Sequence, residues 1–139
     1  MPTDDPLSRD RRAARRNFRA SLMSNAKWSA LLRAAGRIEL DIRQVVVKFI
    51  EIDGETPIAL PWIRTRAFAD SVELGPFPLV GIEWLEFPHV ASLPRGQNVP
   101  PREHSQDVSA IRLALEATGK QFPLQETPTG LRIVGHLPR

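Results

Sequence analysis

Apolar residues recur along this chain in two periods, helical near either end of a central stretch that reads as strand. Trp28, Leu31, Leu32 and Ala35 return at helical spacing, with Ser24 or Asn25 able to cap the helix and Gly36 to end it. Upstream, Asp5 can serve as N-cap with Pro6 at the first helical position, where a missing N–H costs nothing. Leu7, Ala14, Phe18 and Leu22 then fall near one face and Arg9, Arg12, Arg16 and Arg19 opposite, while Arg11 and Arg15 intrude on the stripe. Continued through Met23, that stripe would sit about a quarter-turn from the next one, which predicts a break near Met23.

The period changes after Gly36. Residues 45–52 form a β-branched run with apolar side chains on both faces, suited to a central strand. Asp53-Gly54 is a hairpin turn signal leading into a second strand over 58–63, which Pro61 confines to an edge or a bulge. A short third strand is expected over 71–74, a rigid turn at Gly75-Pro76-Phe77-Pro78, and a fourth strand over 79–87. Regular alternation would place Val80, Ile82 and Trp84 on one face and Glu83, Leu85 and Phe87 on the other.

Residues 88–104 are rich in proline and polar residues without periodicity, a long connection of the kind that is often mobile or functional. Ser105 then caps a second body helix with Val108, Ile111, Ala114 and Leu115 inside, Leu113 outside and Gly119 as the stop. Residues 122–126 and 131–136 flank the turn Thr127-Pro128-Thr129-Gly130 as a closing hairpin. This order predicts an α+β domain with a mostly antiparallel sheet of about four to six strands and two body helices, plus an N-terminal basic helix or arm. Helices on one face would leave the other partly wet or available to a partner.

Charge divides the chain at Met23. Residues 1–22 carry six arginines against three aspartates, a net of +3, while beyond them 13 Lys and Arg face 13 Asp and Glu. Basicity therefore belongs to this leader, and the balanced body lends a nucleic-acid reading no support. The leader is open to three readings: a short helix, a disordered basic arm, or a stretch upstream of a true start at Met23, with residues 23–139 as the single domain. Thirteen prolines against eight glycines predict rigid connections. Without cysteine there is no disulfide or thiolate chemistry, and a metal site would need His and carboxylates alone. No stretch approaches transmembrane length and no apolar signal region opens the chain, so a cytoplasmic location is expected.

Several stretches look familiar together: Ser24-Asn25-Ala26-Lys27-Trp28, Val47-Lys48-Phe49-Ile50, Pro61-Trp62, Gly75-Pro76-Phe77-Pro78-Leu79 and Ile82-Glu83-Trp84-Leu85-Glu86-Phe87-Pro88. The tail adds Ala114-Leu115-Glu116-Ala117-Thr118-Gly119, Phe122-Pro123-Leu124 and Gly130-Leu131-Arg132-Ile133-Val134-Gly135. With these the body resembles a family of small uncharacterised bacterial proteins, a domain of unknown function. The resemblance covers most of residues 23–135, leaves out the leader, and brings no activity, cofactor or catalytic residue with it.

Candidate chemistry is sparse. His89, His104 and His136 stand in no local metal-ligand spacing, although a loop could bring His89 and His104 together with Glu103. Glu83 and Glu86 fall on opposite faces of a regular strand, and Glu73 with Glu83 could form a cross-strand carboxylate pair, but pairing with Arg64, Arg66 or Arg132 is preferred. There is no GxSxG elbow, GxGxxG or P-loop. Trp28, Trp62, Trp84, Phe49, Phe77 and Phe87 read as core, and only Phe68, in Arg64-Thr65-Arg66-Ala67-Phe68, faintly suggests a stacking platform. No catalytic residue, cofactor or metal is expected. The leading expectation is a non-catalytic protein-binding module acting through its sheet or long loop, with Leu113, Pro94, Arg95, Pro100 and Pro101 as the partner surface. The alternative is weak, sequence-indifferent nucleic-acid binding through Arg9, Arg12, Arg16 and Arg19.

Overall fold

A computed structural model describes residues 5–139, and the first four residues of the leader lie outside the described residues. Helix α1 (Pro6–Asn17) starts where its cap signal places it, with the Asp5 carboxylate accepting from the Ser8 N–H at 2.8 Å. It ends sooner than its apolar stripe suggests, because Phe18–Ser21 becomes strand β1. The C-terminal strand β12 (His136–Pro138) offers β1 an antiparallel ladder, and Leu22 donates to the Gly135 carbonyl at 2.8 Å. The buried face of α1 is accordingly Asp10, Ala13 and Ala14 rather than a stripe running on to Phe18 and Leu22. That face lies on a 3-10 turn at Leu79–Gly81, so α1 and β1 rest against the body.

Helix α2 (Asn25–Ala35) follows its pattern: Ser24 caps it, accepting from the Lys27 N–H at 3.1 Å, and Trp28, Leu31, Leu32 and Ala35 are buried. Strand β2 (Gln44–Phe49) sends Val45, Val47 and Phe49 inward and leaves Gln44, Val46 and Lys48 half-buried outside. It turns through Gly54, whose φ of 79° suits the turn, into edge strand β3 (Thr56–Ala59). The expected strand over 58–63 is divided at Leu60-Pro61, and β4 (Trp62–Ile63) pairs instead with β5 (Phe68–Asp70). The expected strand over 71–74 is a turn, closed by the Ser71 hydroxyl and the Gly75 backbone, and β6 (Phe77–Pro78) adds to β5.

Strand β7 (Ile82–Pro88) carries a bulge: Phe49 pairs with Ile82 but Lys48 with Trp84. The extra residue, Glu83, turns the alternation over. Ile82 therefore joins Leu85 and Phe87 in the core, and Trp84 faces outward. The long connection is itself a hairpin of β8 (Val90–Leu93) and β9 (Arg102–Ser105), with residues 94–101 as its tip. Helix α3 (Val108–Glu116) is capped by Asp107 rather than Ser105, and β10 (Leu124–Glu126) with β11 (Gly130–Val134) forms the closing hairpin.

The main sheet runs β10–β11–β7–β2–β3, all antiparallel, giving the α+β class. Trp28, Leu31 and Leu32 of α2 and Ile111 and Leu115 of α3 pack with Val45, Val47, Leu85, Phe87 and Ile133 of the sheet in one core. Each fully buried Leu or Ile contributes about 1.5–3 kcal/mol there. At the end of the sheet, buried Gln106 stands in for a strand. Its Oε1 accepts from the Arg43 and Gln44 N–H groups at 2.9 and 3.1 Å, and its Nε2 donates to the Gln44 and Pro88 carbonyls at 3.0 Å each.

Candidate functional site

The residues expected to meet a partner lie on two elements, the β8–β9 hairpin tip and α3. Pro94, Arg95 and Pro101 line a small cleft of about 220 Å³ in the hairpin tip, where the Arg95 Nε donates to the Pro100 carbonyl at 3.0 Å. Leu113, 66% exposed on α3, is outside that cleft. The leader's arginines are partly engaged: Arg9 contacts Asp10 at 3.1 Å and the Arg16 Nε donates to Asn17 at 3.4 Å. Arg12 also has a partner.

The histidines make different contacts. His136 is buried beneath β1, bonded to Ser21 at 2.8 Å and to the Val80 carbonyl at 2.7 Å, with the Phe18 ring 5.4 Å away. His104 reaches the Asp41 carbonyl at 3.1 Å, and His89, on the paired strand side of the same hairpin, lines a cleft beside α3. Among the described residues no group of three or more His, Asp or Glu is placed to hold a metal ion. Glu73 and Glu83 do not meet: Glu73 accepts from the Ala59 N–H at 2.8 Å, and Glu83 lies 3.6 Å from Lys48. Buried Glu86 takes the cation expected for a neighbour, Arg132 at 3.3 Å, and also accepts from Thr127 and Thr129 at 2.8 and 2.6 Å. Arg132 in turn lies 3.7 Å above the Trp84 ring, so Trp84 supports a polar outer face rather than the core. Trp62, 48% exposed, is likewise not a core residue.

Three further clefts differ in their charge. The cleft of about 350 Å³ beside α3 holds His89, Asp107, Arg112 and Glu126, but Arg112 pairs with Glu126 at 2.9 Å and Asp107 is spent on capping Ala110. A second, of about 450 Å³, is mostly apolar and contains Arg9, Asp10 and Glu51. The third, about 630 Å³ and the largest of these three, lies between α2 and the turn joining β4 to β5. Its charged lining is Arg33, Arg64 and Arg66, with no carboxylate.

Local sequence builds this third cleft. Half-buried Ser29 and exposed Arg33, one helical turn apart, lie roughly a quarter-turn round α2 from Trp28 and Leu32 and line the cleft. The facing turn is closed by the Arg64 and Thr65 N–H groups, both donating to the Phe68 carbonyl at 3.0 and 3.1 Å. Arg64 is steadied by Asp70 at 2.9 Å, whereas Arg33 and Arg66 have no carboxylate partner among the described residues. Ser24, Ser29, Thr65 and Asn25 add neutral polar groups to the walls. Such a constellation attracts an anion and offers it forked donors.

A match to a family of unknown function, DUF6678, spans residues 11–139. The chain belongs to that family. The match begins inside α1 and takes in β1, so the resemblance reaches into the leader instead of stopping at Met23. All the residues of the arginine cleft fall within the family region. No curated protein and no solved structure matches the chain. No helix among the described residues is long and apolar enough to cross a membrane.

Sequence reasoning passed over this cleft. In the sequence Arg64 and Arg66 read as partners for carboxylates or as neighbours of Phe68, and nothing there places Arg33 of α2 beside them. The available signal was the cluster Arg64-Thr65-Arg66 without a nearby acid before Asp70.

Proposed function

We propose that the protein is a non-catalytic, cytoplasmic binding domain that docks an acidic segment of a partner protein in the arginine-lined cleft. The observation that carries this reading is the uncompensated charge of Arg33 and Arg66, beside Arg64 in a concavity without acids. A carboxylate entering there replaces water with charge-assisted hydrogen bonds and breaks no existing ion pair of Arg33 or Arg66. The prolines and Arg95 of the hairpin tip, together with Leu113, offer contact area, but their charge selects no partner.

Nucleic-acid binding through Arg9, Arg12, Arg16 and Arg19 is the competing reading. Fluorescence anisotropy with a labelled hexaglutamate peptide and a labelled oligothymidylate of equal charge separates the two. The peptide is expected to bind more weakly as salt rises and to lose about tenfold or more in affinity in Arg33→Glu/Arg66→Glu. Changing Arg12, Arg16 and Arg19 to Gln should leave it unchanged. Equal peptide binding by the charge-reversed protein would refute the reading. So would tighter oligothymidylate binding that disappears with the leader's charges.

A further inference from the structure

The apolar cleft between α1 and the body contains a buried acid. Asp10 sits on the inner face of α1 with its side chain only 6% exposed, and among the described residues its one ion pair is to the half-exposed Arg9. Its carboxylate lies so close over Gly81 that a Cβ there would run into it. Burial pushes the Asp10 pKa upward, the Arg9 contact opposes this, and the nearby charge of Glu51 adds to the rise. A buried acid of this kind costs stability, and an alanine would complete the Ala13–Ala14 face more cheaply.

The surroundings say what would complete it. The cleft measures about 450 Å³, within the range that takes small organic ligands. Its walls include Phe49 and Phe77, whose rings meet edge to face at 5.1 Å, and at its margin Ile52 and Leu74 are 54% and 45% exposed. Glu51 lines the same cleft with no cation paired to it among the described residues. The formal charge of its lining is one cation against two anions, so the cleft is apolar with a net negative end.

We propose that this cleft binds a small organic cation: a primary ammonium carried on a compact apolar body. The ammonium donates hydrogen bonds to the carboxylates of Asp10 and Glu51 while Arg9 keeps its contact with Asp10. The hydrocarbon covers Phe49, Phe77, Ile52 and Leu74. A neutral alcohol of the same length would lack the charge-assisted bonds, and a carboxylate would meet two like charges.

A ¹H–¹⁵N NMR titration of the full chain with n-hexylammonium tests this, with hexanol, hexanoate and ammonium chloride as comparison probes. Saturable shifts are expected at Asp10, Phe49, Glu51, Leu74 and Phe77 for hexylammonium, with the other probes binding about tenfold or more weaker. Asp10→Asn and Glu51→Gln should each weaken hexylammonium binding at least about fivefold while keeping a dispersed, folded spectrum. Arg33→Glu/Arg66→Glu should leave it intact, which separates this site from the arginine cleft. The proposal fails if hexylammonium gives no saturable shifts, if hexanol binds as well, or if both carboxylate variants bind like the parent.

Discussion

Gln106 and Asp10 are the two buried polar side chains with the clearest energetic signatures, and the signatures are opposite. Gln106 satisfies four backbone groups at the sheet end, so Gln106→Ala leaves buried donors and acceptors unpaired. Urea denaturation should show a loss of about 2–3 kcal/mol; an unchanged midpoint would mean that water serves those groups equally well. Asp10 is a burden in its charged form. Its folded pKa is raised, so native stability falls as pH climbs from the usual carboxylate range through that raised value. The groups facing it are Arg9 and Glu51, while the 3-10 turn beneath it contributes no titratable side chain. Asp10→Asn should therefore raise the thermal midpoint at pH 7, and the gain should shrink on acidification. Neither residue was legible in the sequence: Gln106 lies among polar loop residues, and Asp10 interrupts an apolar stripe where a charge reads as exposed.

At the scale of elements, caps and helical periods transferred well to the structure. Ser24 before Trp28, Leu31, Leu32 and Ala35 defined α2 because capping and burial are both local signals. Strand reading failed where a tertiary partner decided the outcome. Phe18–Ser21 leaves helix because β12 is there to pair with it, and the Glu83 bulge reverses a pattern that alternation alone would extend along β7. The docking of α1 depends on close approach at Gly81, whose Cβ would clash with Asp10. Gly81→Ala should lower the thermal midpoint and speed hydrogen exchange in β1 and β12. Asp10→Ala/Gly81→Ala should recover much of the loss, since the obstructing carboxylate is gone. Additive effects in this double-mutant cycle would show that the two residues do not press on each other.

Across the whole molecule, the charge balance of the body conceals a local imbalance. Acids and bases cancel in number beyond Met23, yet Arg33, Arg64 and Arg66 gather in one cleft without a carboxylate among its lining residues. Folding brings together α2 and the β4–β5 turn, which are about thirty residues apart in sequence, so a linear sum of charges could not reveal the site. The most direct measurement is an amide chemical-shift map of the protein titrated with the hexaglutamate peptide. Shifts should concentrate on Ser24, Ser29, Arg33 and residues 64–66 and diminish with added salt. Shifts confined to α1, or spread evenly over every basic side chain, would contradict the account.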